Sequence, residues 1–200
     1  MDISIRSIRF VLPVNALMAT LLCSCSTPQD TPKPPPPQHS AICRIVDENG
    51  RPVPGTFTGT HGTTHRGHAA NHVVIVQNVQ TGCCHTFDRL LFQFEGIRLP
   101  TYTVQYVPGP ITACGSGATV PMIGNARLRI AFDVAQAHTE AGQSTVSPRD
   151  RRLNCPNLRQ LVTTCDFEAK VEFVAGLDAK RPYCVVELQN PTRLVIDIKH

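Results

Sequence analysis

The chain has 200 residues, 19 of them basic and 15 acidic, for a net charge of +4 with histidine neutral. So mild a basic excess argues against a nucleic-acid partner, which needs a clustered positive face to neutralise phosphates. The absence of tryptophan and the presence of three tyrosines argue against an aromatic stacking platform for sugars or bases.

The amino terminus carries Arg6 and Arg9, then an apolar run from Phe10 to Leu22, then Leu22-Cys23-Ser24-Cys25. A basic start, a short apolar stretch and a small residue before a cysteine make a lipoprotein signal peptide. The run falls short of the roughly 20 apolar residues that a spanning helix requires. Residues 1–24 are therefore expected to be removed and Cys25 to carry a lipid. Cys23 is the poorer acceptor because bulky Leu22 would sit at the cleavage position. An ordinary cleaved signal with an incidental cysteine is the alternative, and it too exports the chain. Residues 25–40 hold prolines at 28, 32 and 34–37. That composition packs no core and favours polyproline II, a stiff spacer rising about 3.1 Å per residue.

Loss of Asp2, Arg6 and Arg9 with the signal brings the net charge to +3. Of nine cysteines, Cys23 is cleaved away and Cys25 lipidated, leaving Cys43, Cys83, Cys84, Cys114, Cys155, Cys165 and Cys184. In an oxidising compartment these are disulfide candidates, and an odd number leaves one thiol free, intermolecular or metal-bound. Cys83 and Cys84, as neighbours on a strand, point to opposite faces and do not bond each other. Beyond that the pairing stays open.

Residues 41–72 read as an irregular stretch rich in glycine, threonine and histidine. Residues 73–200 read as one β-domain. Val73 to Val79 is a β-branched run. From Arg89 to Phe94, Leu90, Phe92 and Phe94 share one face, with Arg89, Leu91 and Gln93 on the other. Thr101 to Val107 is a strand stopped by Pro108-Gly109-Pro110. Arg127 to Asp133 sets Leu128, Ile130 and Phe132 against Arg127, Arg129 and Asp133. Residues 134–158 read as a long polar connection. Gln160 to Val174 reads as a nearly continuous β-stretch with a bulge near Asp166. Tyr183 to Leu188 and Arg193 to Ile198 close the chain, with Leu194, Ile196 and Ile198 inward and Arg193, Asp197 and Lys199 outward or at the rim. Period-two alternation between Gly, Pro and Asn punctuation predicts an all-β, compact antiparallel sandwich.

Several segments, in order, carry a resemblance. They are Phe87–Gly96, Tyr102–Pro110, Gly115-Ser116-Gly117 with Val120, and Gly124-Asn125-Ala126. Ala137-His138, Cys165–Glu168, Val174–Asp178 and Arg181-Pro182-Tyr183 follow. The most specific is Leu188–Ile198, a proline turn followed by Arg and alternating aliphatics ending near Asp197. From about Val74 to His200 the chain resembles the AMIN-like domain of actinobacterial lipoproteins, and its closing strand is similar to that of AMIN domains proper. The resemblance implies a β-sandwich without catalytic function that associates with peptidoglycan or another wall component. The cysteines and the histidine-rich segment before Val73 are departures from that pattern.

Four local features bear on chemistry. His61, His65, His68 and His72 lie within twelve residues and would share one helical face, a possible zinc or copper site, although Gly62, Thr63, Thr64 and Gly67 disfavour a helix. An extracytoplasmic metal-binding protein is thus the alternative function. Arg89, Arg127, Arg129 and Arg193 sit on strands, and guanidinium forks suit the carboxylates of stem peptides or lactyl groups. They are the candidate ligand-binding residues for a wall polymer. His138-x-Glu140 is at most half of a zinc-amidase motif, and Cys84-His85 on a strand point apart, so no enzyme activity and no cofactor are expected. The expected partners are the membrane, through the lipid on Cys25, and peptidoglycan or a wall-associated protein. The expected location is the outer face of the bacterial cytoplasmic membrane.

Overall fold

The computed structural model describes residues 41–69 and 72–200. The signal peptide, Cys25 and the rest of the 25–40 spacer lie outside the described residues. Thirteen strands are described, with a single 3-10 turn at Ala41–Arg44. Strands β1 (Thr64–Arg66), β4 (Thr101–Tyr106), β7 (Ala126–Asp133), β11 (Lys170–Leu177), β10 (Leu158–Phe167) and β9 (Asp150–Arg152) form one sheet in that order. Strands β12 (Tyr183–Leu188), β13 (Arg193–Lys199), β3 (Phe87–Phe94), β2 (Val74–Cys83) and β8 (Ala135–Gln136) form the other. All neighbours pair antiparallel except β2 with β8. A small ribbon joins β5 (Ile111–Thr112) and β6 (Thr119–Val120).

The fold is the all-β sandwich that the alternation predicts, because each sheet must bury its apolar face against another layer. Leu128, Ile130 and Phe132 of one sheet meet Leu90, Phe92, Leu194, Ile196 and Ile198 of the other, all fully buried. Phe92 packs 5.2 Å from Phe132 and 5.1 Å from Phe173, edge-on or tilted as ring quadrupoles prefer. Gly124 and Gly176 let the Ile123 and Leu177 carbonyls approach closely, since a Cβ at Gly124 would lie 2.3 Å from the Leu177 carbonyl oxygen.

Two readings of the sequence change. The stretch from Gln160 to Val174 is not continuous: β10 and β11 are a hairpin turned at Glu168 and Ala169, whose φ values are 50° and 56°. A two-residue turn of that type needs positive φ at both positions, normally supplied by Asn-Gly, so the sequence hides it. The register shifts twice, between Leu158 and Gln160 and between Thr163 and Cys165, the second just before the position expected near Asp166. The connection of residues 134–158 likewise contributes two short strands, β8 and β9.

Disulfides join Cys43 to Cys84, Cys83 to Cys155 and Cys114 to Cys165. Cys83 and Cys84 thus bond in different directions, as strand geometry requires. Among the described residues, Cys184 is the free thiol. Burial and the nearby Asp197 carboxylate push it up to about 12.

The second sheet has a cover. Residues 41–54 fold over its outer face, and Ile42 and Val53 pack on Leu91, Leu188 and Val195 as a small second core. The loop within the cover is held by Asp47, whose carboxylate accepts from the Asn49 and Arg51 backbone N–H groups at 2.9 and 2.8 Å. Beneath the cover lies a fully buried ion pair. Arg89 Nε donates to Asp197 Oδ1 at 2.6 Å and Nη2 donates to Oδ2 at 2.8 Å. Nη1 donates to the Ile42 carbonyl at 2.7 Å, and Nη2 also donates to the Val53 carbonyl. The Phe87 ring lies 4.9 Å from the guanidinium carbon. Arg89 and Asp197 are 0 % exposed. The expectation that Arg89 offers its fork to a ligand is therefore corrected: cover and carboxylate already occupy it. Asp197 does lie on the outer face of its sheet, as expected, but is buried there beneath the cover.

Candidate functional site

The sandwich has an open side where β1 and β12, the terminal strands of the two sheets, run near each other. Thr60 bridges to Tyr183 of β12 through reciprocal backbone bonds of 2.8 and 2.9 Å. The chain then crosses to the other sheet, and β1 pairs with β4, placing Arg66 opposite Tyr102. The Tyr183 hydroxyl pins this crossing, lying 2.6 Å from the Gly62 carbonyl and 2.7 Å from the Val104 carbonyl. At this end the side is closed. Beyond the crossing it opens into a groove.

Glu187 of β12 lies in that groove. Its Oε1 accepts from the Tyr102 hydroxyl at 2.8 Å and lies 3.1 Å from His68 Nε2. The His68 ring stacks on Tyr102 with centroids 6.0 Å apart. His68 is held by its own backbone, whose N–H donates to Thr101 Oγ1 at 3.0 Å while that hydroxyl lies 3.1 Å from the His68 carbonyl. Burial, together with the hydrogen bond and charge of Glu187, raises the Tyr102 phenol well above its ordinary value, and Arg66 opposes the shift. The phenol is therefore a fixed donor to Glu187. The cavity here has a volume of about 520 Å³, between Thr64 and Arg66 on one side and Val185 to Glu187 on the other. A second cavity of about 250 Å³ shares His68 and adds Ile97, Arg98 and Gln189. Ile97 is 79 % exposed. The floor is an ordered network of carboxylate, phenol and imidazole, with guanidinium groups and an aliphatic side chain at the margins. Such a trough suits an extended ligand rich in amide, hydroxyl and carboxylate groups.

The histidines expected as a metal set are spread out. His65 lies on β1, with Nδ1 2.9 Å from Thr103 Oγ1. His68 belongs to the groove. His61 precedes β1 and is exposed, and His72 lines a separate pocket with Val74 and Glu95. An extended strand at residues 64–66 replaces the helical face that would have stacked them. Among the described residues, no three of these four bring ring nitrogens within 4.8 Å of one another.

The three remaining arginines do not share a face either. Arg127 and Arg129 lie on the outer face of the first sheet. Arg127 Nη1 donates to the Gly124 and Ala126 carbonyls at 2.8 and 3.0 Å. Arg129 Nε stands 3.7 Å from Glu172 Oε2. Arg193 is on the outer face of the second sheet, beside Arg44 and Glu48 of the cover. Arg127 and Arg129 therefore cannot form one binding surface with Arg193, because a sandwich turns its two outer faces apart. His138 pairs with Asp166 at 2.9 Å, and the half-motif His138-x-Glu140 gains no partner in Glu140.

Arg66, Tyr102 and Glu187 were not singled out by sequence reasoning. The available signals were an arginine between His65 and His68 and a lone acid in the apolar run of β12. Neither is specific without the pairing of β1 and β4.

Comparison with known proteins gives one family: the model described as AMIN-like domain matches residues 74–200. No curated protein and no solved structure shows significant similarity to the chain.

Proposed function

The chain belongs to the AMIN-like domain family, and on that premise we propose that it is a non-catalytic cell-envelope lipoprotein that binds peptidoglycan through the groove between β1 and β12. Domains of this family are associated with cell-wall binding and imply an extracytoplasmic location. Three disulfides fit an oxidising compartment. The lipid on Cys25 would fix the protein to the bilayer, and the proline-rich spacer would lift the sandwich towards the polymer. Two or more acyl chains make such an anchor stable where a single chain does not.

The observation that carries the assignment to the groove is the Tyr102–Glu187–His68 network. It presents fixed polar groups in an open trough flanked by Arg66 and Arg98, and peptidoglycan offers the amides, hydroxyls and carboxylates to match. Co-sedimentation of the full-length protein with purified sacculi tests it. Wild-type protein is retained, and Arg66→Ala combined with Glu187→Gln releases it. Equal retention of that variant removes the groove from the reading. No retention of either protein removes peptidoglycan as the ligand. Anchoring is tested separately by Cys25→Ser, which moves the protein from the membrane fraction to the soluble fraction.

A further inference from the structure

Asp88 lies at the rim of the core, on the face that β3 turns towards the other sheet. It stands directly across from Cys83 of β2. One carboxylate oxygen, Oδ2, accepts from the Asn157 and Leu158 backbone N–H groups at 2.8 and 2.7 Å. That holds the chain just after Cys155, so Asp88 of β3 and the Cys83–Cys155 disulfide from β2 fasten the same segment, the entry to β10, to the other sheet. The other oxygen, Oδ1, is fully buried and has no hydrogen-bond partner. Among the described residues, Cys83, Asp88 and Cys155 form the one set of three potential ligand groups with atoms within 4.8 Å of one another. Leaving a buried carboxylate oxygen unsatisfied is costly, and a proton on it removes much of that cost.

The two cysteine residues differ in exposure. Cys83 is exposed, whereas Cys155 is 2 % exposed. The Cys114–Cys165 bridge has the same asymmetry, with Cys114 exposed and Cys165 buried, but among the described residues no carboxylate oxygen lies within 4.8 Å of both its sulfurs.

The geometry points to the Cys83–Cys155 disulfide as a thiol-exchange site, with Asp88 as the acid and base of the buried sulfur and an extracytoplasmic dithiol as its reductant. A thiolate of the dithiol attacks Sγ of Cys83, the more exposed residue of the pair. A new sulfur–sulfur bond forms and the Cys83–Cys155 bond breaks. The electron pair passes to Cys155 Sγ, which takes the proton from Asp88 Oδ1. The second thiol of the reductant then attacks its own sulfur in the mixed disulfide and expels the Cys83 thiolate. The dithiol leaves as a disulfide, and two cysteines are reduced. In the reverse direction the Asp88 carboxylate withdraws the Cys155 thiol proton, and the thiolate closes the bridge. Because Asp88 continues to hold the Asn157 and Leu158 backbone, Cys155 stays in place while the bridge is open. Burial supports this role by raising Asp88 above the usual carboxylate range, against the backbone bonds from Leu158 and Asn157 and the charge of His200. His200, with Nε2 3.7 Å from Oδ1, is the basic side chain facing the carboxyl.

Graded reduction of the full-length protein with dithiothreitol, followed by alkylation and peptide mapping, tests the site. Cys83–Cys155 opens at least about a hundredfold faster than Cys114–Cys165, the low side of what a placed acid contributes. Asp88→Asn slows Cys83–Cys155 to the rate of Cys114–Cys165 and leaves the latter unchanged. Equal rates in wild type, or no change in Asp88→Asn, overturn the proposal. Where Asp88→Asn does not fold, the wild-type ratio of the two rates against pH decides, since the thiolate fraction of the reagent cancels. The ratio falls as rising pH strips the Asp88 proton, and His200→Gln moves the fall to higher pH by removing a cation that favours the carboxylate. A flat ratio, or a fall that vanishes in His200→Gln, overturns it.

Discussion

The two sheets carry similar alternating strands yet treat their outer faces in opposite ways. On β7, Arg127 and Arg129 lie outward, and the Arg129–Glu172 pair is partly exposed at 3.7 Å. On β3 and β13, Arg89 and Asp197 lie outward in the same sense but are covered by residues 41–54, with Arg89 donating to Asp197 and to the Ile42 and Val53 carbonyls. A charge on the outer face of a sheet is thus a solvent group in one layer and an internal strut in the other. The difference is the cover, pinned at Cys43–Cys84.

This contrast can be broken at graded cost. Arg89→Ala leaves Asp197 buried without its partner, and denaturant unfolding should show a loss of about 3–5 kcal/mol. Arg89→Met with Asp197→Leu should recover most of that loss, because the penalty lies in the orphaned charge rather than in missing attraction. Cys43→Ser with Cys84→Ser frees the cover and should cost about 2–5 kcal/mol in the same measurement. Cys184, on the outer face of β12 beside Asp197, sharpens the comparison kinetically. With its thiol pushed up to about 12, it should be alkylated at least about a hundredfold slower than free cysteine near pH 8. Loss of the cover through the Cys43/Cys84 variant should speed that labelling. Arg129→Ala, on the uncovered face, should change stability by no more than about 0.5 kcal/mol. A large effect there would erase the distinction between the faces.

The inner faces were legible throughout. Leu90, Phe92, Leu128, Ile130, Phe132, Leu194, Ile196 and Ile198 are each buried as their spacing required. The turn at Glu168 and Ala169 was not legible, because its residues lack the glycine or asparagine that normally marks positive φ. The groove was illegible for another reason. Arg66, Tyr102 and Glu187 are far apart in sequence, and only the pairing of β1 with β4 and the crossing at Thr60 gather them.

By itself the sequence determined an all-β sandwich, its core-facing residues, the divergence of Cys83 from Cys84 and the resemblance to the AMIN-like family. Strand periodicity is local, and it decides which side chains share a face. Tertiary structure decided the partners of the disulfides, the burial of Arg89 with Asp197, the dispersal of the histidines, and the meeting of Asp88 with Cys155. Each of these depends on which distant segment comes to lie over a face, and the two-residue period of a strand carries no information about that.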